Sequence, residues 1–231
     1  MTIDNGTADV YTLLRKKFEL KNEVYANTYS VFQQFKSLMH EMAEQYRSTY
    51  KKENLVVPFE FRDKSEFELE LKFGSDILIF MMHTNVFEFS RDHEVMKTHY
   101  IREELNRSYC GVINIYNFLA DSFKYNRVND IGYLIGRIFV NREMHYFIEG
   151  KREIGMLYNN FATSVVNRQA AQLILESAIR YTVNFDLLTP PYDSVKEVSV
   201  FDMQTTIENM KIQTGKRLGF KFQADKEDPK Y

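Results

Sequence analysis

The sequence has few of the residues that cross-link or interrupt a chain. Its 231 residues include one cysteine, four prolines, nine glycines and no tryptophan. The single thiol, Cys110, cannot form a disulfide within the chain, which excludes a fold held together by internal disulfides. Because glycine and proline are the main signals for turns and loops, their scarcity predicts long regular elements joined by simple connections.

Long hydrophobic runs are also absent. The longest strongly apolar run, residues 77–82, is far shorter than the ~20 residues that a membrane-spanning helix needs. Residues 1–10 are polar and lack the basic and apolar regions of a signal peptide. The sequence therefore predicts a cytoplasmic protein with no membrane partner.

Neither sign of charge dominates. The formal net charge is -2 and the sequence pI is about 6.2. Proteins that coat nucleic acid usually carry a basic excess, because their affinity comes largely from neutralising phosphates. Nucleic acid is therefore not an expected partner.

Signatures of common catalytic and cofactor sites are missing as well. The sequence contains no GxGxxG, phosphate-binding loop, CxxC, HExxH or GxSxG pattern. Hydrophobic residues nevertheless make up 44% of the chain, enough for a sizeable core. We therefore expect a folded protein without a cofactor or metal ion, and a binding protein rather than an enzyme.

The N-terminal quarter of the chain predicts a long helix. No glycine or proline occurs between Gly6 and Pro58, and apolar residues recur there with alternating spacings of three and four. A helix over residues 8–51 would be roughly 65 Å long at 1.5 Å per residue. That exceeds a domain of this size, so the helix must break near Lys21, Asn22 and Glu23, or project and find a partner.

The apolar stripe of this helix has two compatible interpretations. It could form a coiled-coil or bundle contact between subunits of a homo-oligomer, or it could lie across a sheet in the chain's own core. The candidate interface residues are Val24, Val31, Phe35, Leu38 and Met42. Upstream, Val10, Leu13 and Leu14 could continue the stripe, although the charged Lys17 interrupts it.

Beyond Pro58 the periodicity changes from helical to alternating. Apolar and charged residues alternate through 66–73, and further strand patterns occur at 59–61, 77–82, 86–89, 111–119, 133–140 and 144–149. Helices are expected at 92–107, 163–186 and 202–214. This order predicts an α+β fold: an antiparallel sheet of five to seven strands, with the long helix and C-terminal helices packed on one face. We expect an N-terminal helix at 1–53, an α+β domain at 54–222 and a disordered tail at 223–231.

One motif suggests an alternative, enzymatic function. Glu70 and Lys72 are two residues apart in a strand and so share a face, and Asp63 lies on the preceding strand. Many Mg²⁺-dependent nucleases use an acid followed by Glu-x-Lys, in which carboxylates hold the metal and the lysine stabilises phosphate charge. The competing interpretation is the solvated face of a half-buried strand.

A second motif suggests a small-ligand site on a sheet face. If the loop of the last hairpin is 141–143, Val140 pairs with Met144, and Arg137 lies diagonal to both His145 and Glu149. Apolar walls with a few converging polar groups are typical of ligand pockets. The alternative is a cross-strand ion pair on an amphipathic face, and a change of register would alter the grouping.

Two weaker candidates remain. His99 and Glu103 share a helix face and could bind a metal ion if His93 folded in beside them, although a charged surface helix is the simpler interpretation. Cys110 could be a nucleophile, but no neighbour in sequence supplies a base, so a buried inert thiol is expected. The favoured function is a non-enzymatic binding or regulatory protein that self-associates through its N-terminal helix.

Overall fold

A computed structural model describes residues 5–50, 57–128, 130–151, 160–185, 191–201 and 203, with side chains described from residue 9 onward, apart from residues 194 and 195. The α-helices with described bounds are α1 (Asn5–Tyr50), α2 (His99–Glu103), α3 (Ala120–Lys124), α4 (Arg168–Val183) and α5 (Tyr192–Val195), and residues 200, 201 and 203 are also helical. Two 3₁₀ helices, Glu94–Lys97 and Leu105–Ser108, flank α2. The expected tail, and all of the expected helix at 202–214 except residue 203, lie outside the described residues.

The strands form one antiparallel sheet. They are β1 (Phe59–Ser65), β2 (Glu68–Phe73), β3 (Asp76–Met82), β4 (Phe87–Glu88), β5 (Tyr109–Leu119), β6 (Tyr133–Asn141) and β7 (Tyr146–Gly150). The sheet order is β1-β2-β3-β5-β6-β7, and β4 pairs with one end of β5. The α+β fold with a seven-stranded antiparallel sheet, a long N-terminal helix and a C-terminal helix confirms the predicted fold class.

One face of the sheet is covered by α1 and α4. Apolar residues on alternating strand positions, such as Leu69, Leu71 and Phe80, meet the apolar stripe of α1 there, and Phe35 packs on Phe80 with ring centroids 5.0 Å apart. Helix α4 begins where the side chain of Asn167 accepts a hydrogen bond from the Ala170 amide, which caps the helix five residues later than predicted. This shared layer is the main core.

The opposite face carries a smaller apolar cluster. The segment from residue 94 to 108 covers it with Tyr100 and Ile101, both buried, against Val112 and Phe139 of the sheet. A single helix at 92–107 was predicted, and that prediction is wrong. Thr98 and Glu104 adopt extended backbone conformations that divide the segment into three short pieces as it runs over the sheet.

Helix α1 is continuous from Asn5 to Tyr50. It does not break at Lys21, and its 46 residues give a length of about 69 Å at 1.5 Å per residue. The helix therefore meets the sheet for only part of its length. Within the described ranges, no helix is both long and apolar enough to cross a membrane.

Candidate interaction surface

The residues proposed from sequence as a subunit interface lie in the protein's own core. Val24, Val31 and Phe35 have no exposed surface, and Leu38 is 4% exposed. Met42 is partly buried and packs against the same cluster. Buried side chains cannot reach a second molecule, so Val24, Val31, Phe35 and Leu38 pack within their own chain, and partly buried Met42 lies beside the same core.

The exposed apolar part of α1 lies further toward the N-terminus. We call residues 9–19 the N-terminal arm, because every one of these residues is exposed and Leu20 is the first buried residue among the helix side chains that the structure describes. The arm is about 16 Å long at 1.5 Å per residue. Its large apolar side chains are exposed by 54% to 69%: Val10, Tyr11, Leu13, Leu14 and Phe18.

The arm carries the same apolar stripe that packs on the sheet further along. Positions 10, 14 and 18 follow the i, i+4, i+8 rule that places side chains along one side of a helix. Leu13 and Lys17 precede buried Leu20 and Val24 at intervals of three and four, so this side of the arm extends the core-facing side of α1, while Phe18 lies further around the helix. In the described part of the chain, no other element covers it.

A chain of polar contacts marks the point where α1 leaves the sheet. Lys17 lies over the ring of Tyr109, with Nζ 4.0 Å from the ring centroid, and donates a hydrogen bond to its hydroxyl. That hydroxyl donates in turn to Glu88 Oε2 at 2.5 Å. Lys17, the charged residue that interrupts the predicted stripe, therefore has a partner at the end of the sheet.

A groove opens beside the base of the arm. It measures about 320 Å³ and lies between α1 and the loop that follows β3. Its lining residues are Phe18, Lys21, Asn22, Tyr25, Thr84, Asn85 and Val86. Aromatic rings and one amine therefore face a short polar loop, directly adjoining the exposed stripe.

The proposed ligand residues are only partly brought together. Arg137 pairs directly opposite Glu149 and forms an ion pair with it. Val140 pairs with Tyr146, so the predicted pairing with Met144 is wrong by two residues. Because the shift is even, Arg137 and Glu149 keep the predicted face of the sheet.

The second partner of Glu149 was not foreseen. His93 Nδ1 accepts a hydrogen bond from the Val95 amide, which leaves the proton of a neutral ring on Nε2. This nitrogen lies 2.8 Å from Glu149 Oε1, so both carboxylate oxygens are engaged. His93 and Glu149 are 56 residues apart, and no local sequence pattern could have signalled their contact.

His145 lies apart from this pair. Its ring stacks on Tyr100 with centroids 5.0 Å apart, and its Nδ1 lies 3.0 Å from the carbonyl oxygen of Phe161. The two groups are held on different partners: Arg137 pairs with Glu149, whereas His145 contacts Tyr100 and Phe161. The cross-strand ion pair, which the sequence left open as the alternative, is the arrangement found for Arg137 and Glu149.

A buried polar network holds the tip of the last hairpin. Tyr100 donates to Glu143 Oε2 at 2.7 Å, and Arg107 Nε donates to Glu143 Oε1 at 3.0 Å. Burial raises the pKa of Glu143, but the hydrogen bonds from Tyr100 and Arg107 outweigh it, so the pKa is lower than usual. Burial raises the pKa of Tyr100 above its usual value, which keeps its hydroxyl protonated as the donor. These groups satisfy one another and stabilise the hairpin.

The structure also separates the three residues of the nuclease motif. Asp63 stands opposite Leu69, on the face covered by α1, and forms an ion pair with Lys36 of that helix. Glu70 and Lys72 occupy the other face. Glu70 is only 2% exposed rather than solvated, because Arg62 and Lys64 approach it at 3.4 and 3.8 Å.

The remaining candidates do not form a reactive centre. His99 pairs with Glu103 at 3.0 Å on the surface, while His93 binds Glu149 instead. Among the described residues, no three of His, Cys, Asp and Glu are grouped so that they could hold a metal ion. Cys110 is buried, and burial raises the pKa of its thiol well above the usual value.

Comparisons with known proteins give no relative. No family model, curated protein or solved structure matches this chain. The exposed arm with its adjoining groove is one apolar surface that packing in the described core does not account for.

Proposed function

We propose that this protein is a non-enzymatic binding or regulatory protein that self-associates through the N-terminal arm of α1. The observation that carries the proposal is the exposure of the apolar stripe between Val10 and Phe18, where the helix continues past its own sheet. A contiguous apolar surface of this kind is typical of a protein contact.

The energetic reason is the cost of leaving such side chains in water. Burying one large aliphatic or aromatic side chain contributes about 1.5–3 kcal/mol relative to exposure. Leu13, Leu14 and Phe18 are each at least 65% exposed, so most of that contribution is still available to association. Association of two chains can realise it without rearranging the core.

The polar side of the arm favours a protein partner over a lipid surface. Helices that lie on anionic membranes carry mainly basic residues on the polar face. The arm instead mixes signs, with Asp9 and Glu19 alongside Arg15 and Lys16, and Arg15 approaches Glu19 at 3.8 Å. Both signs on one short surface suit pairing with a second copy, in which each charge can meet its opposite.

The test is the molar mass of the whole protein in solution. Light scattering coupled to size exclusion, at tens of micromolar, should give a dimer or larger for the natural sequence and a single chain of 27.5 kDa for Leu14→Asp. Phe123→Asp is the matched control, because Phe123 is 47% exposed but lies on α3, outside the arm. The control should keep the natural mass.

Thermal melts test whether the Leu14→Asp substitution changes the stability of the single chain. Leu14→Asp should melt at the same temperature as the natural chain once both are diluted to single chains, because residue 14 touches no core. A monomeric natural protein, or a Leu14→Asp variant that still dimerises, would overturn the proposal.

A further inference from the structure

The groove adjoins the arm, so a second chain that covers one must approach the other. Phe18 belongs to both, being part of the exposed stripe and of the groove lining. A typical stable interface buries about 800 Å² per partner. An arm of three helical turns presents less than this on one side, so an interface built on it needs further surface, and the groove is the surface next to it.

We propose that the groove receives the arm of a second copy, with the two arms packed antiparallel about a twofold axis. This inference rests on the proposed self-association and specifies its geometry. In this arrangement Leu14 of each copy packs on Phe18 of the other. Tyr11 of each copy then reaches Lys21 and enters the groove beside Tyr25.

The helical spacing supports this register. Positions 11, 14, 18, 21 and 25 follow one another at intervals of three and four, which is the repeat of a helix–helix contact. Reversing one helix about a point midway between residues 14 and 18 superimposes the positions of 11 and 21. Each arm therefore ends in the other copy's groove.

The groove chemistry suits an aromatic side chain. Its volume of about 320 Å³ lies at the low end of the range for ligand sites, roughly 300–1,000 Å³. Lys21 can place its ammonium over an entering ring, and Tyr25 can stack beside it. Tyr11, which is 54% exposed in the single chain, is the aromatic residue of the arm that this register delivers there.

The charges near the twofold axis are compatible with close approach. In this register Arg15 of one copy lies level with residue 17 of the other, and Glu19 of that copy lies two residues, about 3 Å, further along, where the long Arg15 side chain can extend toward it in two equivalent pairs. Lys17 is held on the Tyr109 hydroxyl and ring of its own chain, away from the axis. These contacts therefore offset the repulsion between the basic residues 15–17 of the two copies.

Disulfide trapping tests the register. Two single variants, Tyr11→Cys and Asn22→Cys, are mixed under mild oxidation, with one of the two chains carrying a size tag. Residues 11 and 22 of one chain are about 16 Å apart along a rigid helix, whereas a disulfide needs Cα atoms closer than about 7 Å. A bond between the two positions can therefore form only between chains, and the natural Cys110 is buried.

The matched control is a mixture of Tyr11→Cys with Ala26→Cys. Ala26 is exposed on α1 one turn after Asn22 but does not line the groove. In the proposed register residue 22 lies within disulfide reach of residue 11 of the other copy and residue 26 lies about 6 Å further along, so the 11–22 disulfide should exceed the 11–26 disulfide by roughly tenfold or more.

The outcomes separate the two proposals. A dimeric mass without enrichment of the 11–22 disulfide, or with a dominant 11–11 disulfide, would overturn arm exchange and leave self-association standing. A single-chain mass with no enrichment would overturn both proposals. A dimeric mass with an enriched 11–22 disulfide supports both.

Discussion

Thr28 of α1 and Gly111 of β5 lie in direct contact where the long helix packs on the sheet. A β-carbon added at Gly111 would lie 2.7 Å from Thr28 Cβ and 2.8 Å from its Cγ2, well inside normal contact distance. Thr28 cannot turn away easily, because its hydroxyl donates to the Val24 carbonyl oxygen at 2.7 Å in the same helix. This contact sets the spacing between α1 and the sheet.

We therefore expect Gly111→Ala to destabilise the protein. Overfilling a packed interior costs typically about 1–3 kcal/mol, and urea unfolding should show a loss of that size. The matched test is a double-mutant cycle with Thr28→Gly, which removes the opposing atoms. The double variant should lose less stability than the sum of the single variants, whereas strict additivity would show that the contact is unimportant.

The carboxylate of Glu149 should matter more than either of its partners. One carboxylate oxygen of Glu149 contacts Arg137 and the other contacts His93, and all three side chains are partly exposed. Because exposed ion pairs contribute about 0–1 kcal/mol, Arg137→Ala should cost less than about 1 kcal/mol. Glu149→Ala should cost more, since two donors lose their acceptor. Urea midpoints measure both, and equal effects would contradict this account.

Acid stability should depend on Glu143. Burial raises the pKa of its carboxyl in the folded protein, but the hydrogen bonds from Tyr100 and Arg107 outweigh burial and lower it overall. A lowered pKa contributes stability that is present above the unfolded value, near 4.3, and is lost as pH falls through the folded pKa. Unfolding free energies measured from pH 6 down to pH 3 should therefore fall less steeply in Glu143→Gln than in the natural protein. Identical slopes would contradict the assignment.

The thiol of Cys110 should be unreactive in the native protein. It has no exposed surface, and burial raises its pKa well above the usual value, so little thiolate is present at pH 8. A disulfide reagent such as dithionitrobenzoate should label it only as fast as the protein opens, and immediately in guanidinium. Rapid labelling of the folded chain would show that the thiol is accessible.

Local periodicity predicted the main elements because one side of each packs on the main core. The alternation through Leu69, Leu71 and Phe73 places those residues on the face covered by α1, but Glu70 between them is also buried, so the opposite face is not solvated as expected. The stripe of α1 likewise predicted a long helix, but it could not reveal what the helix packs on. Apolar residues with this spacing are buried in the core from Leu20 onward, whereas those in the arm before Leu20 are exposed.

The register of the last hairpin was missed for a physical reason. Met144 adopts a positive φ of 60°, a conformation that sequence patterns associate with glycine or asparagine. Asn141 stabilises this loop from within, because its side-chain oxygen accepts hydrogen bonds from the amides of Glu143 and His145. The connection between β6 and β7 therefore covers residues 142–145, and the pairing moves by two residues.

The central claim is that two copies of this chain meet through their N-terminal arms, and sedimentation equilibrium of the natural protein over a range of concentrations tests it most directly. We predict a mass that rises with concentration to at least twice the chain mass of 27.5 kDa, and that stays at one chain mass for Leu14→Asp. A natural protein that remains at 27.5 kDa up to tens of micromolar would contradict the claim.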